Sequence, residues 1–174
     1  AIDGPCGSGK TTLAALLARL YDCPVFHADD FFLRPEQRTP ARFAEPGGNL
    51  DRERLLEEVL APLRQGQPVS FRRFDCHSLT LLPPVAVAPS PLAVVEGSYS
   101  LHPELAPMYD ISVCLTLSTE LQRRRILARN GEEMARRFFE RWIPLEQAYF
   151  DAMKPQTRCG FLIEADQLSD EAPL

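Results

Sequence analysis

A glycine-rich stretch near the start of the chain has the residue types that bind phosphate. Residues 4–12 read GPCGSGKTT and satisfy the spacing G-x-x-x-x-G-K-[ST]. Glycines let the backbone curl so that its N–H groups point at phosphate oxygens, and the dipole of a following helix favours negative charge. Lys10 can reach the outer phosphates and the Thr11 hydroxyl can bind Mg²⁺. We therefore predict that a nucleotide contacts Gly4, Cys6, Gly7, Ser8, Gly9, Lys10, Thr11 and Thr12.

Three acidic residues follow short apolar runs. Asp29 and Asp30 come after PVFHA, and Glu96 comes after LAVV. Carboxyl ends of parallel strands meet at the ligand-binding edge of a sheet, so we expect these acids to lie near the phosphate loop. A carboxylate there can take the proton of an attacking hydroxyl and help to hold Mg²⁺. The structural alternatives are that Asp29 or Asp30 caps the next turn and that Glu96 is simply solvated.

The apolar periodicity supplies the elements that must position these residues. Helices are predicted at about residues 10–20, from Asp51 to Gly66, from Ser118 to Arg129 and from Ile143 to Met153. Extended runs are PVFHA, PVSFRRFD, LAVVEG, ISVCLTL and GFLIEA, and residues 34–48 are predicted to be a long surface loop. Alternating strands and helices predict an α/β fold, a doubly wound parallel five-stranded sheet with helices on both faces.

Composition limits the partners. The 174 residues suit one domain, residues 1–174, and the net charge of −5 gives no general attraction to nucleic acid or to an anionic membrane. No run of 18 apolar residues is present, so we predict no membrane span. Five cysteines without a C-x-x-C pair predict reduced thiols in the cytoplasm. The chain does not begin with Met, so we expect most of the first strand to lie upstream; a homo-oligomer is left open.

The class of nucleotide enzyme follows from the motifs around the loop. D-x-x-G and N-K-x-D, which a GTPase would show, do not occur, and neither does the LSGGQ signature of transport ATPases. A small kinase remains, with a non-catalytic ATP-binding module as the rival. Retention of Lys10, Thr11, Asp29 and Glu96 together favours the enzyme, because a module that only binds ATP has no use for a base.

At this point the chain resembles a known family. GPCGSGKTT, HADDFF and VVEG, in this order, are similar to the group of P-loop kinases that contains uridine kinase, nicotinamide riboside kinase and phosphoribulokinase. The resemblance runs over nearly the whole chain and implies transfer of the γ-phosphoryl group of ATP to an alcohol. It implies Asp29 as the catalytic base, and Thr11, Asp29 and Glu96 as the Mg²⁺ ligands. The DDFF sequence is closer to the riboside kinases.

The same resemblance implies an acceptor site. Counting back from Asp51 without gaps places Glu45 where relatives bind a ribose diol with Asp. The stretch FDCH resembles a Y-D-F-x-x-H sequence of uridine kinases, with Phe for Tyr and the His two residues closer. The predicted acceptor residues are Asp29, Glu45, Phe74, Asp75 and His77. The first candidate is the 5′-hydroxyl of a nucleoside, uridine first, and the alternative is nicotinamide riboside or a non-nucleoside alcohol.

An arginine-rich segment occupies residues 123–141. It is either a solvated helix with ion pairs to nearby glutamates or a lid whose arginines offset the charge of the transferring phosphoryl group. Similar kinases place lid arginines in an R-x-x-R pattern. Arg125 and Arg129 are four residues apart, and both are predicted to be catalytic.

Overall fold

A parallel sheet forms the centre of the computed structural model, which describes residues 1–167. Seven strands occur in this part of the chain: β1 Ile2–Asp3, β2 Val25–His27, β3 Val69–Asp75, β4 Thr80–Val87, β5 Val94–Glu96, β6 Val113–Thr116 and β7 Phe161–Glu164. Five of them form the main sheet in the order β2-β5-β1-β6-β7, and every neighbouring pair is parallel. The predicted five-stranded parallel sheet is confirmed.

The register of this sheet brings polar residues to its carboxyl edge. His27, the last residue of β2, pairs with Glu96, the last residue of β5. Asp3 ends β1 and lies between these strands and β6. The apolar residues before these ends are mostly buried, which fixes the strands while the polar ends remain available for chemistry.

Helices connect the strands, and the helix predicted from Ser118 to Arg129 extends to Arg137. The helices are α1 Lys10–Tyr21, α2 Pro40–Ala44, α3 Arg52–Leu55, α4 Ala61–Arg64, α5 Thr119–Arg137 and α6 Ile143–Met153. A π-helical stretch, Leu56–Leu60, joins α3 to α4, and another, Phe138–Trp142, joins α5 to α6. Asp51 caps α3 through the Arg54 N–H, as predicted. The predicted loop at residues 34–48 is wrong at α2, where Thr39 caps a short helix that begins with Pro40.

Two hydrophobic clusters hold the helices to the sheet. One contains Ile2, Ala14 and Leu115 and packs α1 against β1, β5 and β6. The other contains Phe26, Phe31, Leu55, Phe71 and Tyr149, together with eight further buried residues. Because Phe26 and Phe31 flank the turn that carries Asp29, the second cluster fixes the position of this turn.

Strands β3 and β4 form an antiparallel hairpin outside the main sheet. Phe71 of β3 packs against the rings of Phe26 and Phe31, at centroid distances of 5.5 and 5.6 Å. The sequence analysis did not predict β4, which contains Pro83 and Pro84. A two-stranded hairpin tolerates proline because the outer side of each strand needs no ladder hydrogen bonds.

Candidate active site

The phosphate loop presents unpaired amide groups. Within residues 1–167 the N–H groups of Gly7, Gly9, Lys10, Thr11 and Thr12 have no hydrogen-bond acceptor. The buried hydroxyl of Ser8 also lacks a partner in this part of the structure. Donors without acceptors at the start of a 12-residue helix are costly unless an anion or water satisfies them. The loop therefore fits nucleotide phosphates.

Lys10 is buried and held by the loop itself. Its Nζ donates to the carbonyl oxygens of Gly4 at 2.7 Å and Pro5 at 3.0 Å, and lies 3.4 Å from Ser98 Oγ. Lys10 is the first residue of α1, at the end of the helix where the free amides lie. The ammonium group is therefore held beside the predicted phosphate-binding site.

Glu146 of α6 forms a hydrogen bond with the phosphate loop. Its Oε2 accepts from the Cys6 N–H at 2.9 Å, and its Oε1 accepts from the Ser98 hydroxyl at 2.6 Å. Glu146 is 7% exposed. Buried carboxylates make strong hydrogen bonds, so this contact connects the phosphate loop to a helix about 140 residues away.

A second buried carboxylate lies under the loop. Asp3 accepts from the N–H groups of Gly4, Tyr99 and Leu101 and from the hydroxyl of Tyr149, at 2.7 to 3.1 Å. Burial raises the pKa of Asp3, and these hydrogen bonds oppose the shift. Asp3 therefore fixes β1, the segment after β5 and α6 in one arrangement.

The predicted Mg²⁺ ligands Thr11 and Glu96 are in contact. The Thr11 hydroxyl donates to Glu96 Oε1 at 3.2 Å, and His27 Nδ1 lies 2.5 Å from the same oxygen. Within residues 1–167 no group of three or more His, Cys, Asp or Glu side chains could hold a metal ion. A hydroxyl and one or two carboxylates fit Mg²⁺ when substrate phosphates and water supply the other ligands. The donor set therefore suits a metal ion that arrives with the nucleotide.

Asp29 and Asp30 lie in a 3₁₀ turn, Ala28–Phe31, that directly follows β2. Asp29 is exposed at the surface but is surrounded by enough protein that desolvation raises the pKa of its carboxyl. The charge of Lys10 opposes this shift, and the charge of Glu96 adds to it. Asp29 therefore lies in the electrostatic field of the phosphate-loop lysine and of the predicted Mg²⁺ ligand, and its role as the catalytic base stays a prediction.

The backbone after β5 approaches this turn closely. A Cβ on Gly97 would lie 2.6 Å from the Ala28 Cβ, and the Gly97 φ of 145° is a conformation that other residues rarely adopt. The E-G pair of the sequence therefore has a steric reason: glycine lets the chain turn away immediately after Glu96. The following residue, Ser98, reaches the phosphate loop.

Glu45 lies outside this cluster of polar groups. Its Oε2 accepts from Arg52 Nη2 at 3.0 Å, and its side chain is 47% exposed. The loop that follows Glu45 packs Gly47 against Tyr99 and His102, in the segment after β5. The ribose role of Glu45 stays a prediction, and a ribose would have to share this carboxylate with Arg52.

The FDCH stretch lies at the end of the β3–β4 hairpin. Phe74 is 5% exposed, with the guanidinium carbon of Arg38 5.4 Å from its ring centroid. Asp75 accepts from the Ser78 hydroxyl and from the N–H groups of His77 and Ser78, which fixes the turn and lowers the Asp75 pKa. The His77 ring is exposed. The acceptor roles of Phe74, Asp75 and His77 stay predictions.

The first part of the arginine-rich segment contacts the phosphate loop. Arg125 Nη1 donates to the Gly7 carbonyl at 3.2 Å. The guanidinium of Arg129 lies 5.6 Å from the Phe138 ring centroid, and its charge also acts on the Cys6 thiol, whose pKa burial raises. Both arginines are thus near the loop, and their contact with a phosphoryl group stays a prediction.

Sequence reasoning missed several of these polar residues. Asp3, His27, Ser98 and Glu146 reach the site through contacts between distant parts of the chain. His27 had a signal, because aligning the ends of β2 and β5 places it beside Glu96. Glu146 had none, since nothing in its local sequence distinguishes it from a solvated helical glutamate.

Comparisons with known proteins bear on the fold of this chain. No family model matches the chain. Over 120 residues it is 28% identical to uridine-cytidine kinase D of Dictyostelium discoideum; this match covers 66% of the chain and 23% of the relative. A possible uridine kinase from Bacillus stearothermophilus superposes with a TM-score of 0.69 and 23% identity, over 93% of this chain and 85% of the other. A provisionally assigned fructose transport system kinase from Silicibacter sp. TM1040 gives 0.70 and 20%, over 92% and 86%.

These likenesses establish a P-loop kinase fold, and the resemblance to uridine kinase-like P-loop kinases is confirmed. The chain spans about a quarter of the curated relative, so the activity of that protein is not transferred with the likeness. Within residues 1–167 no helix is long and apolar enough to cross a bilayer.

Proposed function

We propose that this protein is an ATP-dependent kinase that transfers the γ-phosphoryl group to a hydroxyl of a small molecule. The observation that supports this most strongly is the meeting of a phosphate loop, its lysine and an acid cluster at one sheet edge. Thr11 contacts Glu96 directly, and Asp29 lies in the field of both Lys10 and Glu96. A module that only binds ATP would not need the exposed carboxylate of Asp29.

The residues of the chain divide the work of phosphoryl transfer. The free amides of the loop and the Lys10 ammonium bind and orient the phosphates, and they offset charge that grows in the transition state. Thr11, Glu96 and Asp29 would hold Mg²⁺, which would supply further neutralisation of the phosphate charge. Asp29 accepts the proton of the attacking hydroxyl. Arg125 and Arg129, which lie near the loop, would offset further negative charge on the phosphates.

The 5′-hydroxyl of a nucleoside is the first candidate acceptor, because the sequence resembles uridine kinases and a matched relative is a uridine-cytidine kinase. The second candidate is another small alcohol. It is favoured by the contacts of the acceptor residues: Glu45 is paired with Arg52, and Phe74 is buried beneath Arg38. Neither side chain is fully available to a nucleoside.

A screen of acceptors tests the activity. ADP release would be followed with nucleosides, sugars, sugar acids and vitamins that carry a primary hydroxyl, and with no acceptor as the control. We expect release to depend on an acceptor and to yield a phosphate ester. Release that is equal with and without every acceptor would contradict the proposal.

The hypothesis that Glu45 binds a ribose diol has its own test, a comparison of uridine with 2′-deoxyuridine as acceptors. A carboxylate left without its hydroxyl partner costs roughly 1 to 3 kcal/mol, so kcat/KM should fall about five- to a hundred-fold for the deoxy compound. The Glu45→Gln variant should reduce this discrimination. Equal use of the two compounds by the wild type would remove Glu45 from the acceptor site.

The cellular compartment and the partners of the enzyme are also part of this proposal. The five cysteines are free thiols, which supports a reducing compartment such as the cytoplasm. The partner is a small-molecule acceptor, with no nucleic acid or membrane surface involved.

A further inference from the structure

Arg38 differs from the other arginines of its region. Between residues 31 and 75, five arginines lie within 4 Å of a carboxylate: Arg34, Arg42, Arg52, Arg54 and Arg64. Arg72 and Arg73 are exposed, and Arg72 binds two backbone carbonyls. Arg38 is half-buried and has no carboxylate within ion-pair distance among residues 1–167. Its guanidinium therefore has no protein counterion in this part of the structure.

The Arg38 side chain is nevertheless held in place. Its Nε donates to the Leu33 carbonyl at 2.9 Å, and its guanidinium lies over the Phe74 ring. These two contacts fix the stem and one face of the group. The terminal nitrogens, which form the fork that binds carboxylate or phosphate, have no acceptor within the described residues.

Arg38 lies beside the turn that carries the proposed base. Leu33 follows Asp29 by four residues, and β3 packs its Phe71 against Phe31 of the same turn. The charges of Arg38 and Asp29 both act on the thiol of Cys76, in the hairpin turn after Phe74. The guanidinium and the base therefore flank the same end of the hairpin.

We propose that Arg38 binds an anionic group of the acceptor, so that the substrate is an alcohol that also carries a carboxylate or a phosphate. This inference rests on the proposed kinase function and favours its second candidate acceptor, a non-nucleoside alcohol, over a nucleoside. The hydroxyl end of such a molecule would lie at Asp29 and its anionic end at Arg38. An anion would supply the counterion that the half-buried guanidinium lacks, and the planar fork of an arginine matches the oxygens of a carboxylate or a phosphate.

Binding of three matched probes tests the proposal without depending on turnover. Ribitol, ribonate and ribitol 5-phosphate share a five-carbon chain and end in a hydroxyl, a carboxylate and a phosphate. Each is titrated calorimetrically into protein saturated with Mg²⁺ and a non-hydrolysable ATP analogue, so that the phosphate loop is filled. We expect at least one charged probe to bind roughly ten- to a hundred-fold more tightly than ribitol, and the preferred probe identifies the anion.

Two variants assign the effect to Arg38. Arg38→Gln should abolish the preference for the charged probe, while Arg34→Gln, a neighbour paired with Glu36, should retain it. Arg38→Lys keeps the charge and should retain part of the preference, which covers the case in which Arg38→Gln folds poorly. Equal binding of all three probes, failure of both charged probes to bind, or equal loss in Arg34→Gln would overturn the proposal. Failure of the kinase proposal would instead appear in the ADP-release screen.

Discussion

At the scale of single residues, the structure separates two neighbouring carboxylates that look alike in the sequence. Asp29 is exposed and the charge of Lys10 acts on it, whereas the charge of Arg73 acts on Asp30; the charges of His27 and Glu96 act on both. Asp29→Asn should therefore lower kcat by about 10²- to 10⁴-fold, the usual contribution of a general base, with ATP binding retained. Asp30→Asn should change kcat only a few-fold.

The comparison is made by steady-state kinetics with the best acceptor from the screen, and ATP binding is measured separately by calorimetry. If Asp30→Asn proved the more damaging change, the base would be assigned to the wrong carboxylate of the turn.

The residues that sequence could predict are those whose chemistry is local. Gly4 to Thr12 form a continuous motif, and the free amides follow from the way that motif starts a helix. Glu146 and Ser98 complete the loop through contacts across 140 and 94 residues, which no local pattern encodes. Glu45 was placed by counting along the sequence, and its pairing with Arg52 depends on how the chain folds back after α2.

At the scale of elements, α5 contains a break that positions the arginine-rich segment. Gly131 has φ 71° and ψ 171°, a conformation that is almost confined to glycine. The part of α5 that contains Arg125 precedes the break. The part that leads to Trp142 and α6 follows it. This glycine therefore sets the direction of the segment relative to the phosphate loop.

Gly131→Ala should impair turnover more than stability. A Cβ at this position would meet no atom within 4 Å, so the effect comes from the backbone conformation alone, at about 1 to 3 kcal/mol. Rotation of the segment to relieve this strain would displace Arg125 or the residues after the break. We expect kcat to fall at least several-fold, as measured by ADP release, with cooperative unfolding retained.

Gly66→Ala provides the control for that experiment. Gly66 also has a positive φ, 65°, and open space around its Cβ position, but it ends the helix before β3. It should lower stability by about 1 kcal/mol and leave kcat unchanged. An equal loss of kcat in both variants would mean that the break in α5 has no special role.

Element predictions succeeded where one local signal dominated. Ser118 and Asp51 cap their helices as the sequence predicts, because a side-chain oxygen three residues before an amide stabilises the first turn. Strand β4 was not predicted because Pro83 and Pro84 disfavour a strand, and only its pairing with β3 overrides this tendency. Helix α2 was hidden in a segment rich in proline and glycine.

At the scale of the whole molecule, Asp3 connects the first strand to the last long helix. The Tyr149 hydroxyl donates to Asp3 Oδ2 at 2.7 Å, and both residues are fully buried. Tyr149→Phe should leave this buried oxygen with one partner fewer and lower the free energy of unfolding by about 1 to 3 kcal/mol. Urea denaturation measures the change.

The matched control is Tyr21→Phe, because Tyr21 is 63% exposed and its hydroxyl can bind water instead. That variant should unfold within about 0.5 kcal/mol of the wild type. Equal stability of the Tyr149→Phe protein and the wild type would show that the Asp3 network does not stabilise the fold.

The central claim is that this chain transfers phosphate from ATP to a small alcohol, and product analysis tests it most directly. Wild type and Lys10→Ala are incubated with ATP, Mg²⁺ and the screened acceptors, and ³¹P NMR identifies the products. We expect a new phosphate monoester equal in amount to the ADP formed by the wild type. We expect a loss of at least about 10²-fold in Lys10→Ala, because the lysine charge is most useful in the transition state. Wild-type turnover in Lys10→Ala, or ADP with free phosphate as the only product for every acceptor, would contradict this claim.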